Sequence, residues 1–351
     1  MCRVALSSAL LCIFVLGCGG AKDEPPKPLV ERASLLGHTE PVACLALNPD
    51  DTLLASGGHD GKHRLWEVQS LSEKVALSVH KKWVQTIAFS PDGKYLATGG
   101  GDYIKNKPDA VDGRVFLWNG KTGALIRQLK SHTHNVDAVD FSADSRWLVS
   151  GSWDGDLILH DLEKKESKTF PGHPHRVYSA RFSPDGKVLA SGGGIDDDPK
   201  QKGVDSGELH LREMPSGKTL WKKRAHRRWI SMLAFHPKGR YLVTGSQFDP
   251  GPIKLWDLQE RKELPLPKEM GFKVASVCYS SEGNYLILGC FDGSIRIQES
   301  KTGNDVLHLK EHAGRVYSVA ITRDGKTLFT GGGSSVGGGE IKVWRRPQAW
   351  R

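Results

Sequence analysis

His38, Ser56 and Asp60, with Trp66 close behind, are the residue types of nucleophilic acyl transfer: a hydroxyl, an imidazole to take its proton and a carboxylate to orient the ring. The set recurs as His80, Thr98, Asp112 and Trp118. It then decays, with His160 and Arg212 where Trp should stand in two later copies. Catalysis would concentrate in one copy, and no nucleophile elbow accompanies the serine. Repetition with decay marks structural support. His132-x-His134 and His173-x-His175 could ligate a metal, but no third ligand follows at a recognised spacing. Asp196–Asp198 lacks the alternating ligands of a calcium loop. There is no Cys-x-x-Cys-His haem attachment and no Walker or dinucleotide glycine motif. No catalytic residue, metal or cofactor is expected.

The amino terminus carries a different chemistry. Arg3 precedes an apolar run, Val4 to Leu16, broken only by Ser7 and Ser8. It is shorter than the ~20 residues of a membrane-spanning helix and reads as an export signal. It ends Val15-Leu16-Gly17-Cys18, which resembles the bacterial lipoprotein cleavage box. That resemblance implies removal of residues 1–17 and acylation of Cys18, and the polar, Gly- and Pro-containing composition that follows suits a tether over 18–28. The alternative is an ordinary cleaved signal with Cys18 incidental. The expected location is the bacterial cell envelope, periplasmic or outer surface, with the membrane reached through lipid only. The whole chain has a net charge of +9 and a pI near 9.2. Losing residues 1–17 removes Arg3 and no acid, leaving about +8. A basic surface suits an acidic partner, and export argues against nucleic acid. An exported chain permits a Cys278–Cys290 bridge, although two buried thiols are the simpler reading.

What positions all of these residues is a turn stated seven times. Variants of Ser90-Pro-Asp-Gly-Lys94 begin at Asn48, Ser90, Ser142, Ser183, His236, Ser280 and Thr322. The recurrence, roughly every 46 residues, is close to one propeller blade. Proline suits the first central position of a tight turn and glycine the positive φ that follows. Alternating apolar runs flank the turns, as in Val84–Phe89 before and Tyr95–Thr98 after, which is a hairpin signature. A third run ends in Trp at Trp66, Trp118, Trp256 and Trp344. With 40 Gly and 18 Pro among 351 residues, the chain suits short strands and many turns.

The repeats resemble those of the WD-repeat β-propellers. Gly37-His38, Ser56-Gly57, Asp60-Gly61 and Trp66-Glu67 match the family pattern nearly throughout, and the likeness covers about residues 29–346. It implies an all-β fold: seven blades of four antiparallel strands, with 347–351 a short tail. Leu29–Leu35 should supply the outer strand of the last blade and close the ring. It further implies that His38, Ser56, Asp60 and Trp66, and likewise His80, Thr98, Asp112 and Trp118, form buried hydrogen-bond chains within their blades. Unit six departs most: Leu288 and Gln298 replace the Ser/Thr and the Trp.

The same resemblance places the residues just before each first-strand Val or Ile near the channel mouth. Trp83, Arg176, Trp229, Lys273 and Arg315 stand there, and Tyr178 and Tyr317 follow one place after the Val. Trp and Arg are enriched at interface hot spots. The expected function is a non-enzymatic, monomeric scaffold that holds another protein or peptide, of acidic character, on this face. The alternative is an enzyme or small-molecule binder using the central channel, with Asp137 as one inward-facing acid.

Overall fold

The structure is a computed structural model and describes residues 29–78, 80–101, 113–194, 206–247, 249, 251–266, 271–334 and 337–346. Cys18, Asp112, Asp196–Asp198 and the 347–351 tail lie outside the described residues.

The closing strand β1 (Val30–Leu36) comes first. Blade one is β2 (Val42–Leu47), β3 (Leu53–Gly58), β4 (Lys62–Glu67) and β5 (Ser72–Ser78). Blade two is β6 (Trp83–Phe89), β7 (Tyr95–Gly101), β8 (Arg114–Asn119) and β9 (Leu125–Gln128). Blade three is β10 (Val136–Phe141), β11 (Trp147–Ser152), β12 (Asp156–Asp161) and β13 (Glu166–Pro171). Blade four is β14 (Arg176–Phe182), β15 (Val188–Gly194), β16 (Gly207–Glu213) and β17 (Thr219–His226). Blade five is β18 (Met232–Phe235), β19 (Tyr241–Gly245), β20 (Ile253–Asp257) and β21 (Lys262–Leu264). Blade six is β22 (Val274–Tyr279), β23 (Tyr285–Cys290), β24 (Ser294–Glu299) and β25 (Asp305–Lys310). Blade seven is β26 (Arg315–Ile321), β27 (Thr327–Ser334) and β28 (Gly338–Arg345), completed by β1.

All seven sheets have four antiparallel strands in sequence order, except that β1 pairs with β28, from Val30 opposite Arg345 to Leu36 opposite Glu340. The inner strands pack side by side around the ring, and β26 meets β2. Single hydrogen bonds stitch neighbouring inner strands. Leu45 N donates to Ser318 Oγ at 3.0 Å and Val139 N to Thr86 Oγ1 at 3.1 Å.

The repeated turns follow their residues. Ser90 N donates to Tyr95 O, Tyr95 N returns to Ser90 Oγ, and Ser90 Oγ donates to Asp92 Oδ1 at 2.7 Å. Gly93 sits at φ 71°. In units one and three, which lack that glycine, Asp51 and Ser145 take the position at φ 56° and 61°. Aspartate tolerates left-handed backbone better than most residues.

Seven apolar clusters fill the seven seams between blades. At the first seam, Leu65 of blade one packs with Leu96 and Trp118 of blade two. Trp118, Trp256 and Trp344 are among the largest fully buried side chains. Divergent unit six still forms a complete blade, with Leu286, Ile287 and Leu288 buried. Pattern and burial matter more there than the family's polar residues.

Candidate functional site

Within blade one, His38 Nε2 lies 2.8 Å from Ser56 Oγ, and His38 Nδ1 lies 3.0 Å from Asp60. Trp66 Nε1 donates to Ser56 Oγ at 2.9 Å. In blade two, Thr98 Oγ1 joins His80 Nε2 at 2.9 Å and Trp118 Nε1 at 3.0 Å. The same pattern stands at His226–Thr244–Trp256 and at His312–Thr330–Trp344. In blade three His160 takes the Trp position and reaches Ser150 Oγ at 3.2 Å. Every serine or threonine here is buried and already occupied. A hydroxyl sandwiched between an imidazole and an indole in the sheet interior stiffens the blade. Burial raises the Asp154 carboxyl, but the hydrogen bond and charge of His132, with the Asp156 and Thr133 amides, outweigh it and bring it to about 2.

The inner strands do something else. In six blades the register slips just after the inner-strand Val, leaving Ala43, Gln85, Asp137, Tyr178, Ala275 and Tyr317 unpaired. These are β-bulges, which re-aim a side chain and gather next to functional sites. All six line the central channel, a cavity of about 450 Å³. The bulges turn one residue per blade toward the axis just below the mouth.

The mouth itself is aromatic. His59 packs against Trp83 at 5.2 Å and against Tyr317 at 5.9 Å, spanning blades seven, one and two. Trp153, Tyr178 and Trp229 form a second arc across blades three, four and five, at 6.0 and 5.6 Å. Arg176 lies over the Trp153 ring at 4.2 Å and Arg315 over Phe291 at 4.4 Å. Trp83, Arg176, Tyr178, Trp229 and Tyr317 are half-buried, while Lys273 and Arg315 are exposed. The structure thus brings five of the seven sequence-named mouth residues into two arcs of contacting rings, Trp83 and Tyr317 in one and Arg176, Tyr178 and Trp229 in the other, while Arg315 forms a separate pair with Phe291. Lys273 joins through its backbone, its carbonyl accepting from Phe291 N at 3.1 Å.

His59, Trp153 and Phe291 are mouth residues that the sequence reading missed. Each directly precedes the Asp of an Asp-Gly turn, as His-Asp-Gly, Trp-Asp-Gly and Phe-Asp-Gly. Their backbone N–H groups donate to Pro41, Asn135 and Lys273, the residues before the inner-strand Val. That pairing seats the two series side by side, and the position before Asp-Gly was the available signal.

Below the mouth, Asp137 accepts from Trp153 Nε1 at 2.6 Å and from Asn135 Nδ2 at 2.5 Å. The enclosing wall raises its carboxyl to about 7 against those bonds and the Arg176 charge. Asp140, bonded by Phe182 N at 2.7 Å, is raised to about 6 by the same burial, with Arg181 opposing. A wider hollow of about 1110 Å³ lies on the opposite rim among turn residues such as Asp51, Glu67 and Lys121. It has no aromatic lining, so the mouth is the better candidate for a recognition surface.

Cys44, Cys278 and Cys290 are free thiols. Burial pushes Cys278 up to about 12 and Cys290 up to about 11, as expected of core residues without nucleophilic character.

In blade four the third strand brings Glu208 and His210 to His173, their ligand atoms all within 4.8 Å of one another. His175 and the His132–His134 pair are not part of this cluster.

The model for the WD domain, G-beta repeat, matches residues 30–67, 72–119, 123–161, 164–198, 217–257, 268–297 and 303–345. The Small ribosomal subunit protein RACK1y of Oryza sativa subsp. japonica is 35% identical over 283 residues, covering 78% of this chain and 79% of that protein. Nuclear distribution protein nudF of Emericella nidulans is 27% identical over 296 residues, 70% of this chain and 66% of its own. The Periodic tryptophan protein 2 homolog of Dictyostelium discoideum is 26% identical over 247 residues, 64% of this chain. This chain spans only 26% of that last protein's length.

Proposed function

The chain belongs to the WD-repeat family of β-propellers, and on that premise we propose that it is a non-enzymatic, monomeric platform that holds a partner protein or peptide on its aromatic channel mouth. The observation that carries this reading is the pair of arcs, Tyr317–His59–Trp83 and Trp153–Tyr178–Trp229, with Arg176 laid on the Trp153 ring and Arg315 on the ring of Phe291. Half-buried Trp, Tyr and Arg already held by their neighbours lose little freedom on binding, and these residue types dominate interface energetics. Lys81, Lys82, Arg227, Arg228 and Lys273 add positive charge in the flanking loops, which favours an acidic partner and speeds its approach. The rice relative's name places it within an assembly, the small ribosomal subunit, consistent with a surface built for other macromolecules.

The platform is proposed to hang from the bacterial cell envelope by an acylated Cys18 and the 18–28 tether. This part rests on the Val15–Cys18 box and the apolar run before it. No helix among the described residues is long and apolar enough to cross a membrane.

The test is affinity capture from envelope extracts with the full chain as bait, alongside a Trp83→Ala/Trp229→Ala variant verified as folded. Partners retained by the wild type and lost by the variant support the mouth. Identical partner sets remove it as the binding face. Separately, metabolic labelling with a fatty acid should mark the wild type and not Cys18→Ser, and an unlabelled wild type would refute the anchor.

A further inference from the structure

Below the mouth the inner strands carry a second series of residues. The penultimate position is Ala46, Ala88, Ala234 and Ala320 in four blades and Cys278 in a fifth. In blades three and four it is Asp140 and Arg181. The small side chains leave room beside the two charged ones. Among the described residues, Arg181 is the one Lys or Arg that lines the channel cavity of about 450 Å³.

Arg181 is held at one corner and open at the other. Its Nη1 donates to Ala180 O at 2.9 Å and to Val139 O of blade three at 3.4 Å. Its Nε and Nη2 groups find no acceptor among the described residues, and it makes no ion pair there. Burial raises the Cys44 thiol of blade one, with the Gly57 carbonyl and the Arg181 charge opposing, so the guanidinium acts across the ring.

The nearby acids do not use up this cation. Asp140 feels its charge, but its Oδ2 accepts from Phe182 N at 2.7 Å and it stands off the cavity wall. Asp137 is on the wall, and each of its oxygens already accepts a bond, from Asn135 and from Trp153. Burial raises the two carboxyls to about 6 and about 7, so both keep their protons further toward neutral pH than an ordinary carboxyl does. Ser231 Oγ and Ser276 Oγ, on the same wall, are buried without a hydrogen-bond partner, and a hydroxyl can donate. The unused hydrogen-bonding capacity of the cavity is therefore mostly donors, one set of them on a cation.

The channel turns apolar lower down. A second hollow of about 400 Å³ shares Cys278 and Tyr279 with the first and is walled by Leu47, Phe89 and Ile321. Cavities of this size, with an apolar body and a few convergent polar groups, suit small molecules.

We propose that the channel binds an apolar monocarboxylic acid, with its carboxylate on the open edge of the Arg181 guanidinium and its hydrocarbon or aryl body in the hollow below. A planar guanidinium fork matches a carboxylate, and the charged hydrogen bonds gain strength in a cavity screened from water. A single cation above an apolar floor suits one carboxylate rather than two. An amine would meet no open acceptor, since Asp137 is already engaged. None of these groups belongs to the aromatic arcs, so the site stands whether or not the mouth holds a partner.

The test titrates the full chain with octanoate by isothermal titration calorimetry, beside octanol and octylamine as neutral and cationic probes of the same length. Expected is saturable binding of one octanoate per chain, more than about tenfold tighter than octanol, with octylamine no tighter than octanol. Arg181→Met keeps the length of the side chain without the fork and should weaken octanoate more than about tenfold. Ala275→Leu fills the cavity from a bulged position with Arg181 intact and should weaken octanoate as well. Melting curves show which variants fold, and Ala275→Leu carries the test if Arg181→Met does not. No saturable octanoate binding by the wild type overturns the proposal. So does equal affinity for octanoate and octanol, or octanoate binding unchanged in a folded variant.

Discussion

Trp153 Nε1 donates to Asp137 Oδ2 at 2.6 Å, joining the residue before an Asp-Gly turn to the bulged residue of the same blade's inner strand. The bond ties mouth to channel. It fixes the indole on which Arg176 lies and holds the carboxyl that faces the axis. The order of the proposed recognition surface therefore depends on a titratable group, and that group can be tested directly.

Burial raises Asp137 to about 7 despite the Trp153 and Asn135 bonds and the Arg176 charge. The unfolded carboxyl releases its proton near 3.8, while the folded one keeps it until about 7. Stability should fall as pH rises through that window and change little below it through this group. Asp137→Asn should flatten that slope, since a flipped Asn135 can accept from the new amide. Melting temperatures at intervals from pH 4 to 8 would show it, and parallel curves for wild type and variant would contradict it.

His63 sits in the seam between blades one and two with its ring 4.2 Å from Trp118, and neither nitrogen has a hydrogen-bond partner. Burial, helped by the His38 charge, lowers it from 6.5 to about 4. The unfolded chain takes up this proton below 6.5 and the folded chain refuses it until about 4, so stability falls with falling pH across that interval. His63→Leu should raise stability at neutral pH by about 1–2 kcal/mol and remove this part of the acid slope. Denaturant unfolding at two pH values measures both, and a destabilised variant would mean the ring is satisfied.

Thr98→Val keeps the shape of the side chain and strands two buried donors or acceptors, His80 Nε2 and Trp118 Nε1. The expected loss is about 1–3 kcal/mol. Ser191→Ala in blade four removes a single partner, His173 Nε2, and should cost less. Equal losses by chemical denaturation would argue against the two-partner account.

Arg176→Ala and Arg315→Ala each remove a guanidinium from an aromatic face at the mouth. Combined, they should slow association with an acidic partner and lessen its salt dependence, with the melting curve little changed. Surface plasmon resonance at two ionic strengths reads this out. An unchanged salt dependence would show that these charges do not steer the partner.

Seven repetitions made the propeller legible, because a hairpin ambiguous in one copy is not ambiguous in seven. Even the divergent blade could be placed from Val274–Tyr279 and its partners alone. The mouth was half legible. Positions before the inner-strand Val stood out, but the slipped register that re-aims Asp137 and Tyr178 has no residue signature. The companion aromatics His59, Trp153 and Phe291 needed the knowledge that they bond across to that series. The His173–Glu208–His210 cluster was not legible. It depends on a strand register that sets His210 against Ser191, and on Glu208 choosing one imidazole over the other.

The pairing of Val30 with Arg345 sets a timetable as well as a shape. A chain synthesised from the amino end can build blades one to six as each is completed. The strand delivered before all of them must wait with its hydrogen-bonding edge unsatisfied until the last strand arrives. During that interval the molecule is an open arc whose two ends can each accept a foreign strand. Its most vulnerable state is therefore the nearly finished one, and anything that holds Leu29–Leu36 away from stray edges during that wait would govern the yield of closed rings more than the stability of any blade.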